Sequence, residues 1–138
     1  MNKIYVLDAC ALIAVQNNEK GADIVQAVMD QTARGEVVTY MNIFNLLEVY
    51  YGDYRSYGKE FADNIVQFTL SSKVKIVTEV GFDILYVAGR LKGTYQVSIA
   101  DSVALAQTMV VGGILLTKDH HEFDIIERNE PINILWIQ

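Results

Sequence analysis

The chain has a single cysteine, Cys10, and a single proline, Pro131. One cysteine excludes an intrachain disulfide and any cysteine-rich zinc site. With so little proline and nine scattered glycines, nothing in the 138 residues reads as a linker, and one domain over 1–138 is expected. No internal repeat or low-complexity tract is present. Long apolar runs are missing too. The opening run IYVLDACALIAV, residues 4–15, is well short of the roughly 20 residues that a membrane helix needs, and Asp8 interrupts it. It also makes a poor signal peptide, with only Lys3 as a leading charge and no clear cleavage site, so a cytoplasmic protein without a membrane partner is expected. Basic residues are outnumbered, 11 Lys and Arg against 17 Asp and Glu. The formal charge of −6 argues mildly against a nonspecific grip on nucleic acid.

What the chain has is apolar residues, 51% against 20% charged, enough for a well-filled core. They fall in short runs alternating with helical patterns. IYVL (4–7), VVTY (37–40), KVKIV (73–77), ILLT (114–117) and INILWI (132–137) read as strands. A helix can start at or just after Asp8. Ile24, Val25, Val28 and Met29 make one face of a second, over 21–34, with Gly35 at its C-cap. Asn42 can cap a helix over 43–51, and Phe61, Ile65 and Phe68 mark another. Thr78 can cap a helix carrying Phe82, Leu85, Tyr86 and Gly89 on one side and ending at Lys92-Gly93. Residues 99–111 form a further helix, stopped by Gly112-Gly113. Apolar strands separated by helices predict an α/β fold with a parallel sheet covered on both faces. In such a sheet the strand carboxyl ends share one edge, where sites gather.

Four acids stand in or beside apolar stretches: Asp8, Glu48, Asp101 and Asp119. Three have simple structural explanations. Asp8 can cap the helix after its strand, Ser98 and Asp101 have capping-box spacing, and Asp119 can make an Asx-turn. Glu48 lies too far into its helix to cap, with Asn45 one turn back on the same face, although it can still point to solvent. Taken together, Asp8 and Asp119 end strands, while Glu48 and Asp101 lie near the starts of helices that follow strands. One acidic pocket can hold all four. Clustered carboxylates repel one another unless a cation joins them, and ligation by oxygen alone selects Mg²⁺ or Mn²⁺ over zinc.

The order D…E…D…D in the contexts LDACALIA, NLLEVYYG, IADSVALA and LLTKDHHEF resembles the PIN-domain ribonucleases, and most of all the VapC-type toxins of type II toxin–antitoxin systems. The resemblance runs from the first strand to INILWI. It implies a three-layer α/β/α sandwich with a five-stranded parallel sheet whose first strand is central. It also implies Mg²⁺ or Mn²⁺ as cofactor. Carried over by motif, Asp8, Glu48, Asp101 and Asp119 are the catalytic quartet, with Asp8, Asp101 and Asp119 as metal ligands. Glu48 orients the attacking water or takes its proton. Thr117 supports the site by hydrogen bonding. Cys10 stands where the family usually has serine or asparagine, and reads as a small packing residue. His120 and His121 read as a solvated loop pair, and the roles of Glu122 and Asp124 stay open.

The resemblance implies hydrolysis of RNA phosphodiester bonds, leaving 5′ phosphate and 3′ hydroxyl, without a covalent intermediate. Setting aside the four site acids reduces the formal charge from −6 to −2, so the charge objection weakens. Arg55, Lys59, Arg90, Lys92 and Lys118 can hold phosphates, Lys118 first among them. Tyr50, Tyr51, Tyr54 and Tyr57 cluster after the Glu48 helix, either to stack on bases or, better favoured, to line a protein-binding groove. The family implies a homodimer and a cognate antitoxin laid across such a groove. A housekeeping PIN nuclease in RNA processing is the alternative within the family. A receiver-like Mg²⁺-binding signalling domain is the rival outside it. Receivers carry two adjacent acids after their first strand, whereas Asp8 is followed by Ala9.

Overall fold

Five parallel strands form one sheet in the order β3-β2-β1-β4-β5. The computed structural model describes residues 3–138. In chain order the elements are β1 (Ile4–Leu7), α1 (Ala9–Gln16), α2 (Ala22–Ala33), β2 (Val38–Asn42), α3 (Ile43–Tyr57), α4 (Lys59–Ser71), β3 (Lys75–Val77), α5 (Phe82–Thr94), α6 (Ile99–Val111), β4 (Ile114–Thr117), α7 (His120–Asn129) and β5 (Asn133–Trp136). The expected central first strand is found. Leu7 of β1 is in register with Met41 on one side and Leu116 on the other.

The period-two alternation of a strand divides the core into two layers. Tyr5 and Leu7 of β1, with Leu116 of β4, pack against Leu12, Val25, Met29 and Leu46 from α1, α2 and α3. Val6 and Leu115 point the other way, onto Leu91, Leu105, Phe123 and Ile126 from α5, α6 and α7. Helices therefore cover both faces, giving the α/β/α sandwich. Complete burial of side chains such as Leu7, Leu115 and Phe123 contributes about 1.5–3 kcal/mol each. That burial rigidifies the strand ends on which the acids sit.

Several helices start on a side chain at the end of the preceding segment. Asp8 caps α1, Asn42 caps α3, Ser98 caps α6 and Asp119 caps α7. Gly112 ends α6 in the left-handed region at φ 64°, where an L side chain is strained.

The structure corrects some boundaries. α3 does not stop at residue 51 but runs through Gly52 to Tyr57. The glycine costs about 1 kcal/mol in a helix, and burial of Leu46 and Val49 on the same helix offsets it. The four tyrosines thus lie on α3 itself, not after it. β3 is shorter than KVKIV, because Lys73 turns away with φ 67°. Thr78 caps nothing. Residues 78–81 are all exposed, so a helix there has no burial to offset its ordering cost. α5 starts after Gly81, and its buried side is Ile84, Ala88 and Leu91. Phe82, Leu85 and Tyr86 do share a side, but it faces outward. Among the described residues no helix is long and apolar enough to cross a membrane.

Candidate metal and catalytic site

Leu7 is fully buried, and the chain leaves it to place Asp8, only 3% exposed, at the carboxyl edge of the sheet. The cap reading of Asp8 is correct as far as it goes. Its Oδ1 accepts the Ala11 N–H at 3.0 Å and the Cys10 thiol at 3.0 Å. Burial raises the Asp8 pKa above the ordinary range. Hydrogen bonds from Cys10, Thr117 and Ala11 pull against that rise, and the charge of Asp119 adds to it. Capping one oxygen of a carboxylate does not discharge it.

Glu48 lies on α3, half-buried, and its pKa is raised by burial, then by the charges of Asp8 and Asp119. Asp101 lies in the first turn of α6, where its backbone N–H is capped by Ser98 Oγ at 3.0 Å. Burial is also the largest reason why its pKa is pushed up to about 7. Glu48 and Asp8 add to the rise, Ser98 opposes it, and Asp119 adds a further push. Asp119 caps α7 by accepting the Glu122 N–H at 3.2 Å. Every pair among the four acids is thus linked by mutual repulsion. The structure brings the expected quartet to one edge, from the ends of β1 and β4, the second turn of α3 and the first turn of α6.

The supporting residues form a connected set. The Cys10 thiol donates to Asp8 and lies 3.5 Å from Thr117 Oγ1, which accepts the Asp119 N–H at 3.2 Å. A hydrogen-bonded path therefore joins the two strand-end acids through Cys10 and Thr117. Cys10 is more than the packing residue expected, because its thiol faces the carboxylate. Burial and the Asp8 charge raise its pKa and keep it protonated. Asn45 is buried, and its Nδ2 donates to the carbonyl of Ala100 at 3.2 Å, while its Oδ1 has no partner. Asn42 Nδ2 likewise reaches Gln107 Oε1 at 3.3 Å. Two amides thereby tie the helix of Glu48 to the helix of Asp101.

Two expectations change. His120 and His121 are not a solvated loop pair but open α7. His120 stacks on Trp136 with ring centroids 3.7 Å apart, and its two ring nitrogens meet Asp124 Oδ1 at 2.8 Å and the Gln138 carbonyl at 2.9 Å. Asp124 thereby gains a role as the partner of His120. Lys118, the first candidate for holding phosphate, has its Nζ on Glu19 Oε1 at 2.8 Å. Sequence reasoning missed Glu19, because 99 residues separate the partners and Glu19 sits in no telling pattern.

The donor set fits a hard divalent cation. It is all oxygen, and among the described residues no salt bridge reaches any of the four acids. The side chains as placed do not converge fully. Among the described residues no three His, Cys, Asp or Glu side chains stand at ligand spacing. A cleft of about 620 Å³ lined by Cys10, Lys118, Asp119, His120 and Gln138 opens on the same edge. Elsewhere, Ile43, Phe44, Leu46, Leu47, Tyr50 and Val66 line an apolar groove of about 290 Å³. Tyr51, Tyr54 and Tyr57 are each about half exposed along the same helix.

The fold recurs in solved structures. VapBC2 from Rickettsia felis, bound to a DNA fragment from its promoter, is similar with a TM-score of 0.76 and 17% identity, over 96% of this chain and 98% of that one. DNA-bound VapBC from Salmonella typhimurium gives 0.74 and 17%, over 100% of both chains. VapC20 from Mycobacterium tuberculosis, a toxin that cleaves the sarcin-ricin loop, gives 0.65 and 15%, over 91% and 95%. No curated protein matches the chain in sequence. These identities speak for the fold alone, but the sequence itself carries the family pattern. The family model of the PIN domain matches residues 5–129, from β1 to the end of α7 and across all four acids, and the chain belongs to that family.

Proposed function

We propose that the protein is a divalent-metal-dependent endoribonuclease and the toxin of a type II toxin–antitoxin pair. One observation carries the catalytic part: four carboxylates from four segments share one sheet edge, each repelled by the other three. Such an arrangement is costly as a structural device and useful as a cation site. The similarity to VapBC complexes and to a toxin that cleaves the sarcin-ricin loop supports the rest.

Asp8, Asp101 and Asp119 would hold Mg²⁺ or Mn²⁺. When bound, the ion supplies neutralising charge at the phosphate and acidifies a water. Glu48 takes the proton from the attacking water as its oxygen bonds to phosphorus. The P–O3′ bond breaks and the 3′ oxygen takes a proton from solvent, leaving 5′ phosphate and 3′ hydroxyl. A half-buried carboxylate with a raised pKa suits that proton transfer. Cys10 and Thr117 orient Asp8 and Asp119 through their hydrogen bonds. The apolar groove on α3 suits an antitoxin segment, and the protein acts as a homodimer.

The receiver-like reading finds no support. The strand order 3-2-1-4-5 differs from the 2-1-3-4-5 order of receivers. Housekeeping RNA processing remains the second reading, because the same site serves both.

The test is cleavage of single-stranded RNA by the purified protein. Activity is expected with Mg²⁺ or Mn²⁺, none with a chelator, and losses of about 10²–10³-fold in Asp8→Asn and Asp101→Asn. Variants that cleave as fast as the parent protein sink the assignment. Growth arrest on expression, relieved by the product of an adjacent short reading frame, separates toxin from housekeeping enzyme.

A further inference from the structure

Lys118 is a cation beside an anionic cluster, yet its ammonium is held elsewhere. Its backbone N–H donates to Cys10 Sγ at 3.4 Å, which fixes its Cα at the site edge. Its side chain turns to Glu19 Oε1 at 2.8 Å. Asp8 also attracts Lys118, but less than Glu19 does.

Glu19 is built to hold its place. It lies between α1 and α2, in a loop where its N–H donates to the Ala14 carbonyl at 2.8 Å. Its other oxygen, Oε2, accepts from Asn17 Nδ2 at 3.4 Å. Asn18 takes a left-handed φ of 52° on one side. On the other side Gly21 takes φ 92°, where a Cβ would collide with the Ile137 carbonyl. The loop is therefore pinned against Ile137, just past the last strand, and the carboxylate is presented from a fixed support.

We infer that Glu19 is a positioning residue: by holding the Lys118 ammonium at 2.8 Å it keeps that cation out of the carboxylate cluster and leaves Asp8, Asp101 and Asp119 open to a divalent ion. This rests on the reading of the cluster as a divalent-cation site. A lysine side chain is long and flexible, so an ammonium released from Glu19 moves toward the nearest concentration of negative charge. There it occupies oxygens that the divalent ion needs and offsets part of the charge that attracts it.

The experiment is calorimetric titration of the purified full chain with MnCl2, on the parent protein, Glu19→Gln, Lys118→Met and the double variant, with circular dichroism melts to confirm folding. Glu19→Gln should weaken Mn²⁺ binding about five- to tenfold. The double variant should bind as Lys118→Met does, at least as tightly as the parent, because no ammonium is left to intrude. Unchanged affinity in Glu19→Gln overturns the inference. So does a double variant as weak as Glu19→Gln, which would mean that the Glu19 charge itself attracts the ion. A parent protein that binds no Mn²⁺ overturns the cation-site reading and this inference with it, a pattern distinct from the other two.

Discussion

Asn45 donates its side-chain amide to the carbonyl of Ala100 at 3.2 Å, one turn ahead of Glu48 on one helix and one residue ahead of Asp101 on the other. That bond sets the spacing between two of the four acids. Asn45→Ala should lower kcat about tenfold or more while changing KM little, since it misplaces the groups proposed to act in the chemical step. Steady-state kinetics on a defined RNA checks this. A change confined to stability, with kcat intact, would make Asn45 a packing residue only.

The Asp101 carboxyl, pushed up to about 7 from an ordinary 3.8, links stability to pH. Between about pH 4 and 7 the folded chain keeps this proton and the unfolded chain loses it. The cation-free protein therefore loses stability as pH rises through that window, with no further loss from this group above it. Glu130, held low by Arg90 and Tyr95, works in the opposite sense: its contribution is present above the ordinary glutamate range and is lost on acidification. With Asp101 as a ligand, as proposed, a bound cation displaces its proton, so Mn²⁺ affinity should fall by up to about tenfold per pH unit below about 7. Melting curves and Mn²⁺ titrations across pH 5–8 test both slopes.

Asp8 serves as cap and candidate ligand at once, and two substitutions separate the roles. Asp8→Asn retains an oxygen for the Ala11 N–H and removes the charge. It should raise the melting temperature of the cation-free protein and abolish the added stability from Mn²⁺. Asp8→Ala removes the cap as well and should be less stable than Asp8→Asn by about 1 kcal/mol. Equal stability of the two variants would show that the cap contributes nothing.

Asp53 is 5% exposed, and its Oδ1 takes Gln16 Nε2 at 2.6 Å. Its Oδ2 and Gln16 Oε1 are both buried without a partner. Asp53→Asn replaces one stranded acceptor with a donor for the other. It should stabilise the fold by about 1 kcal/mol, or roughly 3–5 °C by scanning calorimetry. A lower melting temperature counts against this pairing.

The strands and the four acids were legible in the sequence because each acid interrupts or ends a local apolar pattern. Strand periodicity fixes direction within a few residues, and Asp8 after IYVL needs no distant information. The Asn42 and Ser98 caps and the glycine at 112 are local in the same way, whereas Asp119, expected in a turn, caps a helix instead. The long-range side-chain partners are not local. Glu19 meets Lys118, Gln16 meets Asp53, and Asn42 meets Gln107 only because the sheet order brings their segments together. α5 shows a different limit. It has apolar residues on two sides, and periodicity alone does not say which the sheet will take. Ile84, Ala88 and Leu91 went inward, and Phe82, Leu85 and Tyr86 stayed out.

β1 lies at the middle of the sheet, and β4, which delivers Asp119 beside it, is fourth of the five strands in chain order. The two pair across more than a hundred residues, Leu7 against Leu116. Contacts so distant in sequence close late in folding. A growing polypeptide on the ribosome therefore displays Asp8 and Glu48, and then Asp101, before the fourth carboxylate can join them. For the proposed endoribonuclease, the translating ribosome and its message are the first RNA within reach. The order of strands along the chain makes Asp119 the last of the four carboxylates to reach the edge.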